Sequence, residues 1–528
     1  MSAIESVIRK QWDTLFGWCY RNRWPFTVTM LLAAAVHYPI YAHQLRNMDS
    51  LHVGSLYVAD LWDFSPGWET AQGRWGLRWM DVLRGGINLP VLSALLMLFF
   101  YVLAGLLLVE LFALRGRAVR FLVPILVACA PYVAEVETFH YCSAAYGFSF
   151  FLAVAAVLWV VRLSGWQGWT AGALCLAISL GMYQASIGVT AALCLMTLVL
   201  NLLRGAYDGS KLGCQFRRML GMGLLGCGIY YLLLKFFLWY DQVSLYSPYA
   251  GGPLEMLRGI PQGLIHAYRD FVTYFAVQDS IAQNYYGQRL AYLALALVAL
   301  VGVCGHFRRI KRKREILLTC LLLALLPAAV NSTDIVNANS HIELRMAGSL
   351  VLVVPFVLAL LEPLAGQSVA RLPWTKVLGV LCALVLLRGY IVQINNDAMV
   401  MLAQKNTIVH LADRICVQLE NNADYQAGAQ VCILGQPQNG TYDDLSPLQE
   451  KASDLVQFGL LSFDPTYNSR GWHSLYWEEL GLQLNWCSDE ETRKICATED
   501  FQNMPVYPQE GSIQTIDGVV VVKVAPIQ

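Results

Sequence analysis

Apolar runs of about 18 residues or more recur along roughly the first 395 positions, and no other feature constrains the fold as much. Such a run can cross a bilayer only if its backbone N–H and C=O groups are paired within the protein, which forces a helix. The chain therefore reads as a polytopic α-helical membrane protein. Composition agrees: 56% of residues are hydrophobic, 14% are charged and the mean hydropathy is +0.47. A soluble chain carries nearer a quarter charged residues. The net charge of zero speaks against nucleic acid as a partner. Residues 1–24 are mixed and polar, and the first apolar run lacks a small-residue cleavage site, so no cleavable signal peptide is expected.

The runs predict about 11 spans, near 25–43, 91–112, 121–137, 146–163, 168–182, 186–203, 219–240, 289–306, 316–330, 346–362 and 376–394. With the N-terminus inside, the inner loops hold roughly twenty Lys and Arg residues against about eight in the outer loops, as the positive-inside rule requires. Two large loops, 44–90 and 241–288, then face outward, as does everything after the last span.

From about Asn395 the chain turns polar. Residues 395–528 are expected to form a small α/β domain outside, behind a membrane module of residues 1–394. Alternating runs at Gln430–Leu434 and Gly518–Val524 read as strands. Four cysteines lie in this tail: Cys416, Cys432, Cys487 and Cys496. An exported domain favours two disulfides, with three possible pairings, and Cys416–Cys432 with Cys487–Cys496 is the expected one. Zinc is less well supported, because paired CxxC spacing is missing.

The loop 44–90 carries Asp49, Asp60, Asp63, Glu69 and Asp81 among Trp62, Trp68, Trp75 and Trp79. A tether would be short and polar. Carboxylates mixed with aromatic faces suit a sugar site held against a membrane. Asp49, just past span one, is placed to deprotonate an incoming hydroxyl, or to cap a helix with Ser50. Asp63 and Glu69 are further acids of the same loop. Arg74 is suited to phosphate, and Trp75 and Trp79 to a sugar face or to the lipid interface. An arginine entering a span, Arg345, needs a partner. Glu343, Asp334 or a lipid phosphate would serve, with His341 nearby. Tyr183-Gln184, linking spans five and six, either packs that turn or meets substrate. Glu135, Glu137 and His140 face outward without metal-ligand spacing. The chain has no Walker loop, dinucleotide turn or HExxH helix. Because nucleotide sugars are not found outside, a sugar-transferring reading calls for a lipid-linked donor.

With those residues in view, the chain resembles the Gtr-type bacterial O-antigen glucosyltransferases, the glucosyltransferase II family of polytopic GT-C enzymes. The resemblance rests on Asp49, on AQGRW at 71–75, GMYQAS at 181–186 and IELR before span ten, and covers about the first 395 residues. Relatives often carry two adjacent acids where this chain has Met48-Asp49, which leaves Asp49 as the single candidate there, with Asp63 and Glu69 in reserve. The resemblance implies catalysis by a first-loop carboxylate, and the candidate substrate contacts read from the residues are Arg74, Trp75, Trp79, Tyr183, Gln184, His341 and Arg345. It implies an undecaprenyl-phosphate hexose donor, usually glucose, and a lipid-linked glycan acceptor at the periplasmic face of the inner membrane. A donor synthase and a small flippase would be its partners. No cofactor is implied, and relatives differ in metal dependence. A lipid-linked glycan flippase, or a glycan polymerase or ligase, would share the outer-loop arginines.

Overall fold

A single long helix, α1 (Ala3–Ala42), opens the chain. The computed structural model describes residues 3–53, 68–77, 79–80, 87, 89–205, 209–246, 253–276, 287–308, 310, 312–336, 344–346, 348–362, 373–422, 425–426, 428–436 and 464–526. After α1 come two short helices, α2 (Met48–Val53) and α3 (Trp68–Ala71). A tight bundle follows: α4 (Pro90–Leu111), α5 (Arg117–Ala128), α6 (Pro131–Thr138), α7 (Ser143–Arg162), α8 (Gly165–Met182), α9 (Ser186–Leu203) and α10 (Gly209–Tyr240). Beyond it lie α11 (Pro253–Ala276), α12 (Gln288–Phe307), α13 (Lys313–Ala324), α14 (Leu326–Val330), α15 (Ser332–Val336), α16 (Val353–Leu360) and α17 (Pro373–Glu420).

Alanine is frequent where helices meet. α7 packs on α4 and α8, and its buried Ala144, Ala145, Ala153, Ala155 and Ala156 allow the close approach that membrane helices use in place of a hydrophobic driving force. Polar pairs add registration. His37 of α1 donates from Nε2 to the Ala128 carbonyl (3.0 Å) and lies 2.6 Å from Glu137 of α6 through Nδ1, both side chains fully buried. Ser149, Ser179 and Ser186 bond one another at the junction of α7, α8 and α9.

Among the described residues, eight helices are long and apolar enough to cross a membrane, fewer than the eleven expected. The expected third span is α5 and α6 in series, stepping at Cys129-Ala130. The ninth stops at Ala324 and restarts at Leu326-Pro327, since proline opens a helix better than it continues one. The tenth is a 3-10 stretch (Gly348–Leu352) running into the eight-residue α16. The fifth corresponds to the 18-residue α8, whose first turns carry Trp166, Gln167, Trp169 and Thr170. Conversely, the loop 241–288 contains the 24-residue α11. The composition change at Asn395 meets no break in structure: α17 runs through it to Glu420.

The tail holds β1 (Gln430–Leu434), α18 (Pro465–Leu480), β2 (Asn485–Trp486), α19 (Asp489–Cys496), α20 (Glu499–Asn503), β3 (Ile513–Ile516) and β4 (Val519–Lys523). The sheet order is β2-β1-β4-β3, parallel except for the β3–β4 hairpin. The alternation at 430 and 518 thus marks two real strands. The helix α18 starts at an Asp464 cap, which accepts from the Thr466 and Tyr467 amides. It lies against α17, where the Tyr476 hydroxyl donates to the Ala412 carbonyl (2.8 Å).

The expected Cys416–Cys432 pairing is not what the fold brings together, and all four tail thiols are free in this structure. Cys416 faces Glu420 on its own helix (3.9 Å). Register places Cys432 one step beyond the Val431–Trp486 pair, next to Cys487. Both thiols reach Thr492 Oγ1, Cys487 at 3.2 Å and Cys432 at 3.9 Å. Their mutual hydrogen bond holds Cys487 below the ordinary thiol range and lifts Cys432 above it. Cys496 packs on the same cluster.

Candidate functional site

The segments 71–75 and 181–186 interlock where the C-terminal end of α8 meets α10. Gln184 Nε2 donates to the Gln72 carbonyl (2.6 Å), the Gly76 amide to the Gly181 carbonyl (2.7 Å), and the Tyr230 hydroxyl to the Gly73 carbonyl (3.2 Å). Gly73 has φ +80°, a left-handed conformation that favours glycine. Trp75 is fully buried, stacked on Phe237 with ring centroids 5.4 Å apart and edge-on to Trp79 at 5.3 Å. Its ring also covers Gly181, where a Cβ would come within 2.4 Å of it. The expectation that Trp75 stacks on a sugar is therefore corrected: both its surroundings and its burial make it a wedge between segments. Trp79, 40% exposed, is the tryptophan of this pair with open surface. Gly181→Ala should expel the Trp75 ring and cost about 1–3 kcal/mol, read as a lower melting midpoint in detergent. An unchanged midpoint would show that the contact can relax freely.

Arginines flank this junction on both sides. Arg74 Nη1 donates to the Tyr146 hydroxyl (2.8 Å) and sits 5.5 Å from the centre of the Tyr183 ring, which stacks on Tyr146 at 4.0 Å. Arg345, in a 3-10 turn (Leu344–Met346), pairs with Glu135 Oε1 at 3.4 Å and lies 4.4 Å from the Phe139 ring centre. Both guanidinium groups act electrostatically on Tyr146 and Tyr183, Arg74 from direct contact. Glu135 is thus one partner of Arg345. Asp334, one expected partner, is instead buried at α15, with its backbone against Gly263 of α11. The other, Glu343, lies outside the described residues, as does His341. Tyr183 and Gln184 differ: Gln184 packs the turn, whereas the Tyr183 ring lies 5.5 Å from the Arg74 guanidinium.

Asp49 lies in the first turn of α2, and it is not the cap. Asn47 takes that role, accepting from the Ser50 amide (2.9 Å). The Asp49 carboxylate accepts from the Tyr467 hydroxyl of α18 (2.8 Å) and acts on Tyr141, which also feels Arg74. Backbone and hydroxyl contacts fasten α2 below: Ser50 Oγ donates to the Thr138 carbonyl (2.8 Å) and receives the His140 amide (3.0 Å). From the tail, Glu478 and Glu479 grip Arg46, which is 1% exposed, the Glu479 contact being 2.8 Å. Lys405 joins them, 2.8 Å from Glu479 and 2.9 Å from the His43 carbonyl.

His140 donates from Nε2 to the Leu45 carbonyl (3.0 Å). Burial, then the Arg46 charge, pushes its imidazole down to about 3 from 6.5. A depressed value means that the unfolded chain takes up the proton first as pH falls. Stability present above pH 6.5 should therefore drain away between about 6.5 and 3. The melting midpoint should fall across that window, and His140→Gln should flatten the fall. An equal slope in the variant would assign the acid sensitivity elsewhere.

The remaining acids are less informative. Glu69 is half-buried in α3, where its carbonyl accepts the Arg74 amide (2.8 Å). The neighbouring Thr70 donates to Asp241 (2.6 Å), tying the segment 44–90 to the segment 241–288. Asp60 and Asp63 lie outside the described residues. Among the described residues no three His, Cys, Asp or Glu side chains converge as a metal site. Sequence reasoning missed Arg46, Tyr141, Tyr146 and Tyr467. Tyr146 is hidden inside an apolar run, and Tyr467 follows no motif.

The family model for the glucosyl transferase GtrII matches residues 56–358. The chain belongs to the GtrII glucosyltransferase family. Neither a curated protein nor a solved structure matches it. The stretch matched in this GtrII chain contains Arg74, Glu135, Tyr146, Tyr183 and Arg345, so the paired arginines and their tyrosine stack belong to the family region. Asp49 and Tyr467 flank it on either side. Membership implies glucosyl transfer, and the eight apolar helices make this glucosyltransferase a membrane protein.

Proposed function

We propose that this chain transfers a hexose, in the first instance glucose, from a polyprenyl-phosphate donor to a lipid-linked O-antigen or related surface glycan. The reaction takes place at the periplasmic face of the bacterial inner membrane, with the N-terminus in the cytoplasm and residues 395–528 outside. The observations that carry this reading are that Arg74 and Arg345 both act on the Tyr146–Tyr183 stack and that Asp49 and Arg74 both act on Tyr141. A phosphate leaving group needs positive charge, and the attacking hydroxyl needs a base.

In this mechanism Asp49 accepts the proton of the acceptor hydroxyl as its oxygen bonds to the anomeric carbon. The bond from that carbon to the phosphate oxygen breaks, and its electron pair leaves on the polyprenyl phosphate. Arg345 and Arg74 neutralise the developing charge. Trp79 offers an aromatic face to a sugar. A donor synthase and a flippase would supply the substrate at this face. The tail braces α2 through Arg46.

The test uses purified protein in detergent, with radiolabelled glucose on polyprenyl phosphate or on UDP, and a lipid-linked glycan as acceptor. Label should move from the polyprenyl donor alone. Transfer from UDP-glucose alone would overturn the donor. Glycan movement across sealed vesicles, with no transfer in detergent, would make the chain a flippase. Use of only a diphosphate-linked oligosaccharide would make it a polymerase or ligase.

A further inference from the structure

The tail reaches the candidate base directly. Tyr467 begins α18, two residues after the Pro465 that opens the helix and three after the Asp464 cap. Its hydroxyl donates to Asp49 Oδ1 at 2.8 Å across 418 positions of sequence. The contact is held from both sides. α18 packs along α2, with the Arg46–Glu478–Glu479–Lys405 cluster at its other end, and Asp464 accepts the Tyr467 amide (3.1 Å). Two fixed ends leave the phenol little freedom to swing away. We propose that Tyr467 is a positioning residue for glucosyl transfer, holding one oxygen of Asp49 so that the other faces the acceptor hydroxyl.

Three features of the contact support this role. The phenol stays protonated, because burial and the adjacent carboxylate raise it well above its ordinary value, so it is a dependable donor. A carboxylate left free at the start of a six-residue helix would rotate about χ2, and only one of its rotational states presents an oxygen to a given hydroxyl. Finally, Asp49 and Tyr467 both lie outside residues 56–358. On this account the tail supplies a working part of the site.

This inference rests on Asp49 being the base, and the experiment separates the two claims. Full-chain enzyme is assayed for transfer from polyprenyl-phosphate glucose, with kcat and KM determined for wild type, Tyr467→Phe, Asp49→Glu and the double variant. Tyr467→Phe keeps the ring and removes only the hydroxyl. It should lower kcat roughly ten- to hundredfold, the worth of one hydrogen bond to a charged group, with donor KM unchanged. In Asp49→Glu the carboxylate is already displaced by a methylene. Adding Tyr467→Phe should then cost almost nothing, because the two residues act as a unit. Tyr476→Phe, which loosens the tail at Ala412 without touching the site, should lower the melting midpoint and leave kcat unchanged. A Tyr467→Phe enzyme with wild-type kcat would overturn the proposal. So would a loss that multiplies in full on the Asp49→Glu background, since that is how a merely structural residue behaves. Normal transfer by Asp49→Asn would instead remove the base assignment on which it rests.

Discussion

Asp49→Asn is expected to reduce transfer by roughly 10²–10⁴-fold, the usual contribution of a general base, while the protein folds and melts as wild type. The structure gives reasons for the second half of that statement. Asn47 caps α2, so the helix start does not depend on Asp49. An asparagine keeps a side-chain oxygen to accept from Tyr467. The substitution therefore removes basicity and little else. Single-turnover transfer, with donor KM measured alongside, is the direct check. Near-normal transfer would shift the role to Glu69 or Asp63.

Arg345→Ala should act on two levels. Transfer should drop roughly 10²–10³-fold, as when one preorganised donor to a developing negative charge is removed. Stability should also fall, by about 3–5 kcal/mol, because a buried carboxylate loses its counter-charge. Glu135 is only 2% exposed, and its Oε2 has no hydrogen-bond partner among the described residues. The two effects separate in a double variant. Arg345→Ala with Glu135→Gln removes the uncompensated charge, so the melting midpoint should recover while transfer stays low. Recovery of both would reduce Arg345 to a structural counter-ion.

Eight of the eleven expected spans were legible because hydrophobicity over a window of 18 residues is a bulk property, indifferent to neighbours. α11 was not. Its apolar residues, among them Leu257, Ile260, Leu264, Tyr268, Phe271 and Phe275, recur at helical spacing with polar residues between them, so no continuous run marks it. The three motifs were visible as candidates, but their division of labour was not. In sequence, Trp75 beside Arg74 fits a sugar platform. Only the Cβ-free space at Gly181 shows that the ring is a wedge. Arg345 announced a need for a partner without naming it, since Glu135 lies 210 positions away. The cysteines misled for the same reason: proximity in sequence favoured Cys416 with Cys432, whereas strand register put Cys432 beside Cys487.

One consequence of α17 concerns the lipid itself. Lys405 is level with the end of α1, since its ammonium meets the His43 carbonyl. The helix then continues to Glu420, about 22 Å farther at 1.5 Å per residue. The part of the tail that packs on α17, where Tyr476 meets Ala412, therefore stands on one continuous helix. A thinner or thicker bilayer is accommodated by tilting such a helix, and Lys405, bonded to Glu479 and to the His43 carbonyl, makes α18 and the end of α1 tilt with it.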